Sequence, residues 1–226
     1  MIIEIIIEIV KLVRLRLTML THTTLKRHYV MRRKEVKKRL AHFSDNAKRM
    51  TDKDLFIELC FCICTPQSKA LKVAEVINAE NADKLLTLEQ SSLAEMLRRN
   101  TRFHNNKAKH IINARKYLPE IKRLNNHSKD GVIAREFLVK NIKGIGYKEA
   151  SHFLRNIGYR DLCIVDRHVI NLMHELKVFK NNITPSTPKK YLEMEKHIKD
   201  YAKKQGYDVD ELDLVLWSIK TGHVFK

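Results

Sequence analysis

The tightest constraint on this chain is a short turn, Ile142-Lys143-Gly144-Ile145-Gly146, set between two stretches of helical periodicity. Residues 135–141 read as a short helix running into it. Residues 147–157 read as the helix leaving it, with Gly158 as the C-terminal glycine. Two helices joined by so few residues must turn sharply. Gly144 and Gly146 can take positive φ and let the backbone come close to a ligand. The amides of the turn and of the new helix's N-terminus then face outward, where they can hold a phosphate. Small Ala150 permits close packing of the two helices. An ordinary helix-turn-helix corner could use the same glycines, so charge separates the two readings. The chain has 44 Lys+Arg against 26 Asp+Glu, a net charge of +18. A foldable chain with that charge points to a polyanion, most simply nucleic acid. Residues from about 137 to 158 therefore read as a helix-hairpin-helix motif, with Gly144, Ile145 and Gly146 against the DNA backbone.

The rest of the chain follows the same grammar. Only 6 Gly and 4 Pro serve 226 residues, and scarce turn formers favour long helices over strands. Residues 25–39 carry eight basic side chains and one acid, Glu35, and read as a solvated helix face. Ser44-Asp45 and Thr51-Asp52 offer helix N-caps. The apolar run 55–64 suits a buried helix ending near Thr65-Pro66. Residues 69–79 continue helical spacing. Residues 87–97 add a helix with Thr87 as N-cap and Gln90 in a capping box. A basic helix over 106–118 should stop before Pro119, and 124–130 reads as a loop. Further helices are expected over 166–176, 191–205 and 211–220, with a two-proline loop over 181–188. The predicted fold is all-α, with about ten helices.

Residues 1–20 are apolar enough to suggest a membrane span, but Glu4, Glu8, Lys11, Arg14 and Arg16 interrupt them. Each charge at mid-bilayer costs about 2.5–3.5 kcal/mol. An amphipathic helix fits better, and an upstream start with the true one near Met19 is a third reading. Residues 1–18 are therefore expected to be a non-catalytic extension, with no membrane anchor. Cys60, Cys62 and Cys64 alternate too closely to pair with one another. They read as buried structural thiols in a reducing cytoplasm.

Chemistry enters at Lys148, in the first turn after the hairpin. The helix dipole disfavours a cation there, burial lowers a lysine's proton affinity, and a neutral amine is a nucleophile. Asp166 follows in Ile164-Val165-Asp166-Arg167-His168. An apolar, strand-like entry delivers it to a helix start. It can cap that helix and, still ionised, stabilise a positive sugar or relay a proton.

Gly144-Ile145-Gly146-Tyr147-Lys148-x-Ala150, followed at this spacing by Ile164-Val165-Asp166-Arg167-His168, resembles the helix-hairpin-helix, Gly/Pro-rich-loop, Asp superfamily of DNA glycosylases. The resemblance implies that Lys148 attacks the sugar C1′ and forms a Schiff base, that Asp166 assists base departure, and that β-elimination then cuts the abasic strand. Lys143 stands where many members carry Pro. No Cys follows Cys163, so the four-Cys iron–sulfur cluster of endonuclease III-like members cannot form, and Cys60, Cys62 and Cys64 are wrongly spaced for zinc. The expectation is no metal and no cofactor, with room for a monovalent cation at the hairpin.

Leu212-Asp213-Leu214-Val215-Leu216-Trp217, the ending Thr221-Gly222-His223-Val224-Phe225-Lys226, and Thr65-Pro66-Gln67-Ser68-Lys69-Ala70 are similar to the compact archaeal type of 8-oxoguanine DNA glycosylase/AP lyase. That similarity covers most of 25–226. It implies recognition of 8-oxoguanine by Lys226 and by Trp217, which a core position would explain equally well. It implies an aromatic, Phe103, beside the opposing base, with a core Phe as the alternative. It places Gln67 at a DNA-facing helix end. Two helical subdomains are implied, 19–54 with 167–226 and 55–166, with the active site in the cleft between them. The expected partners are duplex DNA containing 8-oxoguanine and abasic-site DNA, bound by a monomer at the cytoplasmic nucleoid. The competing readings are an endonuclease III-like oxidised-pyrimidine glycosylase and a non-catalytic hairpin DNA-binding module.

Overall fold

The computed structural model describes residues 19–127 and 130–224, so the expected extension 1–18 and Lys226 lie outside the described residues. Among these, the chain forms twelve α-helices, one 3-10 turn (Ala79–Asn81) and no strand. The helices are α1 (His22–Ala47), α2 (Asp52–Cys64), α3 (Ala70–Val76), α4 (Ala82–Thr87), α5 (Gln90–Leu97) and α6 (His104–Arg115). They continue with α7 (Leu118–His127), α8 (Gly131–Asn141), α9 (Tyr147–Asn156), α10 (Arg167–Glu175), α11 (Pro188–Gln205) and α12 (Val209–Thr221).

The buried apolar side chains form two separate cores. The first draws on residues 55–162 and the second on residues 20–43 together with 163–224. Helix α2 runs through the middle of the first. From Leu55 to Cys64 every residue but Ile57 is buried, which is why its sequence shows an unbroken apolar run instead of a stripe. Cys60, Cys62 and Cys64 are buried free thiols on this helix, and burial pushes the Cys60 thiol well above its ordinary range. Glu58, its one acid in that run, accepts a hydrogen bond from Asn156 Nδ2 of α9 at 2.7 Å.

The second core is built on α1 packed along α12. Leu25, Tyr29, Val36, Leu40 and Phe43 are buried at helical spacing, while most of the basic residues between them face solvent. Burying one such side chain contributes about 1.5–3 kcal/mol. Five of them are enough to seat a helix whose composition is otherwise strongly basic.

Helix boundaries depart from the sequence reading in four places. Ser44 and Asp45 lie inside α1, and only Thr51 caps, in a box with Asp54. Thr87 ends α4, and Glu89 precedes α5 without a side-chain cap. Pro119 does not terminate a helix but sits in the first turn of α7, where its missing N–H has no intrahelical partner to lose. Consequently 124–127 continue a helix where a loop was expected.

Candidate active site

Helices α8 and α9 meet at the glycine turn. Ile142 and Ile145 are buried and Gly144 and Gly146 are exposed, so the apolar side chains pin the turn while its backbone faces outward. Only Gly144 uses positive φ, at +84°, and a Cβ there would come within 2.6 Å of His110 Cδ2. Gly146, expected to need the same freedom, has φ −100° and ψ −174°, extended backbone open to any residue. Its role is to precede α9, with its N–H donating to Glu149 Oε2 at 3.3 Å. Gly144→Ala should therefore destabilise the hairpin by roughly 1–2 kcal/mol from the left-handed backbone alone, and Gly146→Ala by less. Thermal unfolding and duplex titration of both variants check this. Equal losses would mean that φ at residue 144 is not what sets the turn.

Lys148 is the second residue of α9, with its side chain 30% exposed and its Nζ 3.3 Å from Glu149 Oε1. Asp166 is the N-cap of α10, its Oδ1 accepting from the Val169 N–H at 2.8 Å. Both line one cleft of about 1810 Å³ whose walls come from both cores. Gln67, Gly146 and Trp217 line the same cleft. Trp217 is half-buried and its ring meets that of His223 edge-on at 5.8 Å, so it belongs to the wall and not to the core. Phe103 is 52% exposed with its ring beside Arg102, which removes the core-Phe reading. It does not line the cleft, though Arg102 does.

The segment that delivers Asp166 joins neither helix nor sheet. Its amides are satisfied by side chains instead. Cys163 N–H donates to Glu195 Oε1 (3.0 Å), Ile164 N–H to Asp213 Oδ1 (3.1 Å) and Val165 N–H to the Tyr191 hydroxyl (3.2 Å). Two of these acceptors are buried carboxylates held by arginines of the first core. Arg135 of α8 donates to both Glu195 oxygens at 2.8 Å, and Arg155 of α9 donates to Asp213 Oδ2 at 2.5 Å. One network thus fixes the helix that carries Lys148 and the segment that carries Asp166. The sequence reading missed Arg135, Arg155, Glu195, Asp213 and Tyr191. The one available signal was an arginine, Arg135, among the inward positions Ala134 and Leu138.

Among the described residues no group of three or more His, Cys, Asp or Glu side chains gathers as a metal site, and no helix is long and apolar enough to cross a membrane.

Residues 36–207 match the family model for 8-oxoguanine DNA glycosylase. The chain belongs to the 8-oxoguanine DNA glycosylase family. Within it, the 8-oxoguanine DNA glycosylase/AP lyase of Methanocaldococcus jannaschii is 40% identical over 197 residues, covering 84% of this chain and 91% of that protein. The protein of the same description from Fusobacterium nucleatum is 38% identical over 206 residues, covering 84% and 90%. The solved structure of the M. jannaschii glycosylase/lyase in complex with a 15mer DNA containing 8-oxoguanine matches with a TM-score of 0.82 at 35% identity, over 90% of this chain and 100% of that one. The Thermotoga maritima 8-oxoguanine DNA glycosylase matches with a TM-score of 0.83 at 35% identity, over 90% and 97%. The family's fold is thus the fold of this chain, with the hairpin, Lys148 and Asp166 inside the residues that the family model matches.

Proposed function

We propose that this protein removes 8-oxoguanine from duplex DNA and then cleaves the abasic strand, as a monomer acting at the cytoplasmic nucleoid. The observation that carries the reading is a single cleft that holds both Lys148 and Asp166 at the foot of the hairpin, in a chain of this family. The hairpin amides hold the backbone phosphate, and the damaged nucleotide leaves the stack to enter the cleft. Lys148, as the neutral amine, attacks C1′ while the bond from C1′ to the base breaks. The departing purine takes up a proton. Glu149 Oε1, 3.3 Å from Nζ, is placed to hold the lysine's proton beforehand. Asp166 faces the positive charge that develops on the sugar. The nitrogen's lone pair then opens the sugar ring, breaking the bond from C1′ to O4′ as O4′ takes up a proton, and leaves a Schiff base. This acidifies C2′, and β-elimination breaks the 3′ carbon–oxygen bond. Trp217 offers a wall for the extruded base.

Asp166 has two roles that one substitution separates. Asn is as good an N-cap as Asp, so Asp166→Asn keeps the Val169 bond and removes the charge. Base excision should fall by roughly 10²-fold or more while the melting temperature stays near wild type. Cleavage of a preformed abasic site should fall less. Unchanged excision would reduce Asp166 to a cap. The reading as a whole is tested with duplexes each carrying one lesion: 8-oxoguanine, an oxidised pyrimidine, or an abasic site. Preference for the oxidised pyrimidine would instead favour an endonuclease III-like activity, and binding without turnover a simple hairpin module.

A further inference from the structure

Lys107, on α6, is a lysine buried to 5% exposure in a protein otherwise rich in solvated lysines. Its ammonium lies within hydrogen-bond distance of four oxygens: Cys64 O (2.7 Å), Pro66 O (2.8 Å), Ser68 Oγ (2.9 Å) and Thr101 Oγ1 (2.6 Å). Three N–H donors facing four acceptors make this a saturated site with no capacity left over. The acceptors belong to the last residue of α2, Cys64, and to two separate loops. Thr65–Lys69 follows α2, and Thr101–Phe103 precedes α6. Cross-links tie the same segments directly: Thr101 Oγ1 to Cys64 O at 3.0 Å, and the Arg102 N–H to Ser68 Oγ at 2.9 Å.

Each loop presents one exposed, non-glycine residue in the left-handed region, Gln67 at φ 56° and Phe103 at φ 57°. Such conformations persist only where the surroundings over-determine them. Here the surroundings are the lysine knot. Pro66 and Ser68, on either side of Gln67, both bond Lys107. Thr101 bonds it and Arg102 bonds Ser68, immediately before Phe103. Burial lowers the proton affinity of the ammonium, and a buried cation is a costly way to fill a core position that an apolar residue could fill. What the ammonium supplies, and an apolar side chain cannot, is a common anchor for several oxygens from two loops.

We propose that Lys107 is a positioning residue that holds Gln67 and Phe103 as one rigid unit against the duplex, so that extrusion of the damaged nucleotide depends on it. The inference rests on the DNA glycosylase reading above. Lys107 touches no reacting atom. It acts through the two loops.

The test compares wild type with Lys107→Met on three substrates: an 8-oxoguanine duplex, the same duplex with 2-aminopurine beside the lesion, and a single-stranded oligonucleotide with one abasic site. The last needs the amine but no extrusion from a stack. The variant should lose at least about tenfold in duplex excision and lose the 2-aminopurine unstacking signal, yet cleave the single-stranded abasic site within about twofold of wild type. Wild-type excision and fluorescence, or equal loss on duplex and single strand, would overturn the proposal. Should Lys107→Met not fold, Ser68→Ala decides. It removes one acceptor and the tie to Arg102, and the same selective loss supports the proposal while wild-type or unselective behaviour overturns it. If wild type unstacks the 2-aminopurine duplex and cuts abasic sites but spares 8-oxoguanine, the substrate assignment has failed. The fluorescence arm still decides the role of Lys107.

Discussion

Lys148→Gln should lower strand cleavage, and the trapping of a covalent DNA adduct by borohydride, by on the order of 10³-fold or more, because no other group can replace an amine that becomes a Schiff base. Duplex affinity should survive within a few-fold, since the proposed binding mode assigns the phosphate to backbone amides of the turn and not to this side chain. The variant also removes the charge paired with Glu149 at 3.3 Å, a contact with a 30% exposed lysine that contributes little to stability. Its melting temperature should therefore stay close to wild type. Trapping that persists in the purified variant would assign the chemistry to another amine.

The second large effect is on stability. Arg155→Met leaves Asp213 buried without its cation, and breaking a buried pair in this way costs about 3–5 kcal/mol. For a chain of this size that corresponds to a fall of roughly 6–20 °C in melting temperature. The loss should depend on pH. Burial is the main influence on Asp213 and pushes it up to about 6, with Arg155 pulling the other way. A carboxyl raised above its unfolded value favours folding most when protonated, and that contribution is lost as pH rises through the folded value. Without Arg155 the carboxyl has more need of its proton, so the gap between variant and wild type should narrow as pH falls from about 7 to about 5. Thermal melts of both proteins across that range check the sign. A gap that widens toward acid would mean that Asp213 is not the group left stranded. Because the Ile164 amide also rests on Asp213, the same variant should disturb the segment leading to Asp166.

The glycine turn, the placing of Lys148 and Asp166 at helix starts and the helical class were legible in the sequence for local reasons. Gly144 and Gly146 announce a turn by spacing, and Lys148 and Asp166 stand at helix starts defined by short-range signals, whereas the buried stripe of α1 was hidden beneath its basic composition. The errors were also local. Thr87 and Ser44 carry capping chemistry where no helix begins, and Pro119 reads as a stop although it serves equally well inside a first turn. What could not be read are partnerships across the chain. Arg135 meets Glu195 across 60 residues and Arg155 meets Asp213 across 58, so neither helical period nor composition connects them. Lys107 looks like any other basic residue of α6 until the segments 64–68 and 101–103 are folded over it. These buried side chains hold backbone in place, and periodicity carries no trace of that.

Mass mapping of the reduced adduct tests the central claim most directly. Wild-type protein is incubated with an 8-oxoguanine duplex in the presence of borohydride, digested, and searched for the peptide that carries the sugar remnant. The expected result is one modified peptide, with the added mass on Lys148. An adduct on a different lysine, or turnover of 8-oxoguanine with no adduct at all, would contradict it.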